Sequence, residues 1–246
     1  MAFFDLLLGA FTVFFTTSLG STVVLFFRGR KIQQMDYSYI ISFCAGVMGF
    51  TAVEMFGEAR IYLGNGGAGI AFLVGVLVFF AFERSLPHLH YLVRKTNLSD
   101  SKKKATMIAG TITIHNLPEG FSIASSFAHS IPLGWLVTST IAFQDIPEGV
   151  LVSTPLMCYG MDCTRSFKFG VISGVIEGAS AIVCYIFLSL VTTAVPPALG
   201  FSAGAMSYVV LAELLPDAFK GKAWAVALSF VAGVLSAFGI AAFLRF

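Results

Sequence analysis

The sequence predicts an all-α integral membrane protein of eight transmembrane helices, in which spans 1–3 and 6–8 form an inverted repeat around a central pair, spans 4 and 5. Three observations carry this. Of 246 residues, 57% are hydrophobic and 11% charged, with a mean hydropathy of +0.87, which leaves no room for a soluble domain. Apolar runs of roughly 20 residues, enough to cross a bilayer as a helix, recur along the chain. The stretch Phe43–Phe50 (FCAGVMGF) resembles Phe201–Tyr208 (FSAGAMSY); each is followed by a glutamate, in spans that face oppositely across the membrane. The chain reads as one domain, 1–246.

Residues 3–27 form the first span; they lack the basic n-region and cleavage site of a signal peptide. Its Thr16, Thr17, Ser18, Ser21 and Thr22 form a polar stripe, for which bonding back to the helix's own carbonyls is the preferred reading. The second span runs from about Tyr37 to Gly57, contains Glu54 and ends near Glu58 and Arg60; Asn65-Gly66-Gly67 then marks a turn. The third covers about Gly69 to Leu86. A polar loop, about 87–104, follows with Pro87, His88, His90 and five basic residues. The fourth span covers about Ala105–Ala128 and the fifth about Leu133–Met157, joined by His129-Ser130-Ile131-Pro132. The sixth, about Phe169–Val191, contains Glu177 between Gly174 and Gly178; Pro196-Pro197 turns the chain into the seventh, about Ala198–Leu215, with Glu213. The eighth is about Trp224–Leu244.

Charge placement predicts orientation. The loops after spans 1, 3, 5 and 7, with Arg84 beside them, hold thirteen of the fifteen basic residues, and only Arg60 and Arg245 fall on the other side. The positive-inside rule therefore places both termini outside the cytoplasm. The four cysteines, Cys44, Cys158, Cys163 and Cys184, show no CxxC spacing and read as packing residues.

The central pair carries the chemistry. The fourth span contains His115-Asn116-Leu117-Pro118-Glu119-Gly120 and the fifth Gln144-Asp145-Ile146-Pro147-Glu148-Gly149, 29 residues apart. Ionisable groups in mid-membrane are costly and mark function. His115 and Glu119 share a helical face, as do Gln144 and Glu148, while Asn116 and Asp145 point about 100° further round. Pro118 and Pro147 each remove a backbone hydrogen bond and kink their helices. Two such helices face to face offer carboxylate, amide and imidazole donors, a set that suits a divalent ion such as Zn²⁺ without deciding among first-row metals.

With HNLPEG, QDIPEG and Ser173-Gly174-Val175-Ile176-Glu177 in the sixth span, the sequence resembles the ZIP (Zrt/Irt-like) family of divalent-metal transporters, most nearly the bacterial GufA-like branch. The resemblance implies a two-metal centre: His115, Glu119, Gln144 and Glu148 at one position, Asn116, Asp145 and Glu177 at the other, with Glu119 and Glu148 bridging. It implies Zn²⁺ as cargo, with Cd²⁺, Mn²⁺ and Fe²⁺ as further ions, carried into the cytoplasm through a cell membrane. It also implies a dimer, and a bundle of helices 1, 4, 5 and 6 that slides against 2, 3, 7 and 8. Neither a catalytic cofactor nor a nucleic acid is expected.

Glu54 and Glu213 read as guides along the metal path, and His88 and His90 as collectors, against the plainer reading of solvated histidines. Three rival functions compete, one of them a structural or metal-sensing membrane protein without flux. An intramembrane metal-dependent hydrolase would use Glu119 or Glu148 as base, but the HExxH spacing is missing. A transporter of organic cations or amino acids would need the acids as counter-charges and would have no use for His and Asn at these offsets.

Overall fold

The computed structural model describes residues 2–27, 37–85, 116–158 and 160–245, and among them the regular elements are all helical. Helix α1 is Ala2–Ser21, continued by a 3-10 segment Thr22–Phe27. Helix α2 is Ser38–Ser85, and α3 covers 116–129. Helix α4 is Ile131–Cys158 and α5 is Cys163–Leu190. Helix α6 is Val195–Val209, extended by a π turn Val210–Leu214 and by Leu215–Ala218; α7 is Ala223–Arg245.

The second and third predicted spans are thus one element, α2, broken at Gly64. There φ is 65° and ψ 176°, a left-handed conformation that glycine adopts without a Cβ clash. The reversal lies at this residue and not at Asn65-Gly66-Gly67, which are helical. The two arms, 38–63 and 65–85, fold back on each other: Phe56 and Phe72 sit edge to face at 5.5 Å, whereas 16 residues of straight helix would separate them by about 24 Å.

Other boundaries shift for local reasons. Helix α5 starts at Cys163, ahead of the predicted start, because the Asp162 side chain accepts a hydrogen bond from Thr164 N at 3.0 Å and caps it. Pro196 and Pro197 do not turn the chain. They lie in the first turn of α6, where no backbone donor is needed. The π turn precedes Pro216, whose ring crowds the carbonyl four residues back and which has no N–H to complete the ladder.

Five helical stretches among the described residues are long and apolar enough to cross a membrane: Ala2–Phe26, Ser38–Arg84, Cys163–Leu190, Thr192–Ala218 and Ala223–Arg245. The surface is apolar, with Ile61, Leu190 and Phe243 72%, 79% and 80% exposed. The interior holds the polar groups: Asn116, Glu119, Asp145 and Glu177 are fully buried. This is the distribution of a protein whose surroundings are hydrocarbon.

Helix α1 packs on α4 and α5, and the arms of α2 pack on α6 and α7, with lesser contact between α2 and α4. Helix α3 touches both groups. Its Asn116 meets Glu177 of α5, while Phe121 packs on Phe201 and Ser125 hydrogen-bonds Ser202, both of α6.

Four Phe-x-x-Gly tetrads make two close crossings. A methyl group on Gly46 would stand 2.2 Å from Phe230 O and one on Gly233 2.2 Å from Phe43 O. At the other crossing, Gly75 would meet Phe201 O at 2.1 Å and Gly204 would meet Phe72 O at 2.0 Å. Glycine lets backbones touch where lipid supplies no hydrophobic drive. Gly46 and Gly204 occupy equivalent places in the two similar octapeptides, and Gly75 follows Gly46 by the same 29 residues by which Gly233 follows Gly204.

Both chain ends lie at one end of the molecule. There Trp135 Nε1 donates to Asp5 Oδ1 at 3.1 Å, and Arg245 pairs with Glu54.

Candidate metal centre

Helices α3, α4 and α5 bring their polar residues together. Glu119 on α3 accepts a hydrogen bond at Oε1 from Gln144 Nε2 of α4 at 2.5 Å, and the same amide reaches Glu148 Oε2 at 3.5 Å, one turn along. Ligand oxygens of Glu119, Asp145 and Glu148 all lie within 4.8 Å of one another. One turn before Glu119 on α3, Asn116 Nδ2 donates to Glu177 Oε2 at 3.4 Å. Six of the seven ligand residues predicted from sequence therefore converge. The seventh, His115, lies outside the described residues, as do His88 and His90.

Small residues make this convergence possible. A side chain on Gly120 would strike Ser180 Oγ at 1.8 Å and Glu177 O at 2.5 Å, and one on Gly149 would strike Thr17 O at 2.1 Å. The Pro-Glu-Gly steps thus combine a missing backbone donor, a buried carboxylate and a bare backbone contact in three residues.

Helix α1 contributes donors that sequence reasoning had assigned to the backbone. Thr16 Oγ1 donates to Asp145 Oδ2 at 3.1 Å as well as contacting Thr12 O and Val13 O. Thr17 Oγ1 lies 2.8 Å from Val13 O and 3.4 Å from Glu177 Oε2. The predicted backbone bonds form, and the same hydroxyls also orient two acids. Ser21 follows suit in bridging Thr17 O and Gly149 O, both at 3.0 Å. Cys44 of α2 is a free, buried thiol within electrostatic reach of Glu148, Glu119 and Asp145.

The acids keep spare capacity. Glu119 Oε2, Gln144 Oε1, Asp145 Oδ1 and Glu177 Oε1 are buried and make no hydrogen bond. Buried acceptors of this kind normally have a partner. Three of these four oxygens are carboxylate oxygens, and those of Glu119 and Asp145 belong to the close trio with Glu148, a surrounding that suits a cation better than an anion or an apolar group. Oxygen-rich, with one amide oxygen and one amide nitrogen beside it, the donor set admits hard and borderline divalent ions alike.

Against this geometry the comparisons are specific. The chain is 32% identical over 215 residues to the zinc transporter GufA of Myxococcus xanthus, covering 83% of this chain and 85% of that one. It is 30% identical over 229 residues to the zinc transporter ZIPB of Bordetella bronchiseptica, covering 87% and 72%. The chain belongs to the ZIP family, in its bacterial GufA-like branch. A longer Arabidopsis thaliana relative, named as a candidate zinc transporter, is 28% identical over 178 residues, and this ZIP chain spans 29% of its length. No family model matches.

Two predicted path residues stand apart from the ZIP chain's acid cluster. Glu54 is held by Arg245 at the end that carries both termini. Glu213 lies in the π turn of α6, part-exposed.

Proposed function

We propose that the protein carries divalent metal cations, Zn²⁺ foremost and Cd²⁺, Mn²⁺ and Fe²⁺ besides, into the cytoplasm through a binuclear site between α3, α4 and α5. The observation that carries this reading is the cluster of three mutually close buried carboxylates, Glu119, Asp145 and Glu148, of which Glu119 and Asp145 each keep an oxygen without a hydrogen bond. Burying each charge costs several kcal/mol, and only an opposite charge or a proton offsets it. A divalent cation neutralises two carboxylates at once and accepts oxygens that have no hydrogen-bond donor. Glu119, Gln144 and Glu148, with His115, would hold one ion; Asn116, Asp145 and Glu177 the other; Glu119 and Glu148 would bridge.

The relatives that establish the family are named zinc transporters, which sets the membrane-hydrolase reading aside. The folded-back arms of α2 support eight crossings, because each arm, 26 and 21 residues long, spans the roughly 30 Å hydrocarbon core. The reciprocal Phe-x-x-Gly crossings support an inverted repeat, since the first arm of α2 meets α7 as α6 meets the second arm. Basic residues at the end opposite the termini support an extracytoplasmic location for both. Uptake as a dimer in a cell membrane, with the 87–104 loop inside, completes the proposal.

The test is uptake of the four metals into liposomes containing the purified protein, beside a Glu119→Ala, Glu148→Ala variant. Flux that falls at least tenfold in the variant is the expected result; equal flux from both proteins overturns the site.

A further inference from the structure

A second nitrogen–carboxylate pair lies far from the acid cluster, at the end of the molecule that carries both termini. His129 closes α3, and its Nε2 is 3.7 Å from Oε2 of Glu58 on the first arm of α2. Tyr62, one helical turn beyond Glu58 and so on the same face, sets its ring against the imidazole at 4.8 Å and 77°. The side chains of His129 and Glu58 are 13% and 30% exposed.

The separation is informative. It exceeds the 2.7–3.2 Å of a hydrogen bond between nitrogen and oxygen. Two donors on one tetrahedral Zn²⁺, each about 2.1 Å from the metal, stand about 3.4 Å apart. A shift of a few tenths of an ångström converts the pair into two ligands of a single ion. Partial exposure admits the ion and leaves room for waters to complete its shell. The ring of Tyr62 restrains the imidazole plane. Other charges nearby are engaged elsewhere: Glu54 with Arg245, and Arg60 with Asn65 Oδ1 at 2.9 Å.

We propose that His129 and Glu58 form a weak metal-collecting site at the outer mouth, which takes a divalent cation from water and feeds the buried carboxylates. It rests on the transport reading above. Ten residues of α3, about 15 Å, separate His129 from Glu119, a short transfer along one helix. The ligands come from α3, which touches both groups of helices, and from α2, so an ion there would tie the end of α3 to the first arm of α2.

The test uses the full chain with Zn²⁺ alone. In the Glu119→Ala, Glu148→Ala background, zinc binding measured by equilibrium dialysis should retain a weak site that His129→Ala or Glu58→Gln weakens at least tenfold. His129→Cys should restore it and favour Cd²⁺. X-ray absorption should find one imidazole nitrogen around the residual metal, absent after His129→Ala. In the otherwise unaltered protein, His129→Ala should raise the KM for zinc uptake about fivefold. Residual binding indifferent to both substitutions, or a KM unchanged by His129→Ala, overturns the proposal and leaves the pair as a structural contact. Because the dialysis needs no flux, a protein that fails to transport but keeps a His129-dependent site would refute the transport reading while upholding the metal site.

Discussion

Glu119 shows what burying a single acid entails. It is fully buried, one oxygen takes the Gln144 amide at 2.5 Å, and the other makes no hydrogen bond. Glu119→Gln removes the charge and keeps the shape. Metal-free variant should therefore melt at or above the temperature of the parent, because a buried charge near two others is relieved. Adding Zn²⁺ should raise the parent's Tm by several degrees, through preferential binding to the native state, and leave the variant's almost unmoved; thermal scans in detergent with and without metal distinguish the two. Proton competition acts at the same atoms. A carboxylate or an imidazole binds metal only when deprotonated, so on the proposed ligand set zinc affinity should fall as pH drops from about 7.5 to 5.5, and dialysis at each pH measures it. Thr17→Val is milder. It removes the hydroxyl near Glu177 and keeps the volume, so a loss of a few-fold in uptake is expected, well short of that from a ligand carboxylate.

At the scale of elements, the helices are set by backbone contact more than by side-chain volume. Gly149 lies where any Cβ would meet Thr17 O at 2.1 Å, so Gly149→Val must push α4 away from α1. Overpacking of this kind costs about 1–3 kcal/mol, and here it also draws Thr16 and Thr17 from the acids they orient. Reduced Tm together with at least tenfold slower uptake is expected. Gly57→Ala is the matched control. Nothing lies within 4 Å of its would-be Cβ, and alanine favours a helix, so stability should hold or rise by about 0.5–1 kcal/mol, as thermal unfolding would show. The same reasoning explains which boundaries were legible in the sequence. Apolar runs located the helices, whereas the break at Gly64, the early start of α5 and the π turn before Pro216 depended on one φ angle, one cap and one missing donor.

Across the whole molecule, the two Phe-x-x-Gly crossings relate the first arm of α2 and α7 to α6 and the second arm of α2. Gly46→Leu and Gly204→Leu, at equivalent places, should destabilise by similar amounts, and unequal Tm losses would count against the pseudosymmetry. Sidedness has its own check. In intact cells a membrane-impermeant thiol reagent should label Asn65→Cys above the parent protein's background and spare Lys222→Cys; the reverse would invert the topology.

The sequence by itself determined the membrane class, the family and five of the residues that converge, Asn116, Glu119, Gln144, Asp145 and Glu148, whereas Glu177 came with the family resemblance. Those rest on hydropathy and on offsets along single helices, and both are local properties. Tertiary structure decided what local pattern cannot encode. It decided that Gln144 bridges Glu119 and Glu148, that α1 threonines reach Asp145 and Glu177, and that His129 faces Glu58. Each of these joins residues from different helices, or selects one donor among several. Such pairings are fixed by how closely backbones approach and at what angle, and the glycines that permit the approach look alike in sequence whether or not another helix is beside them.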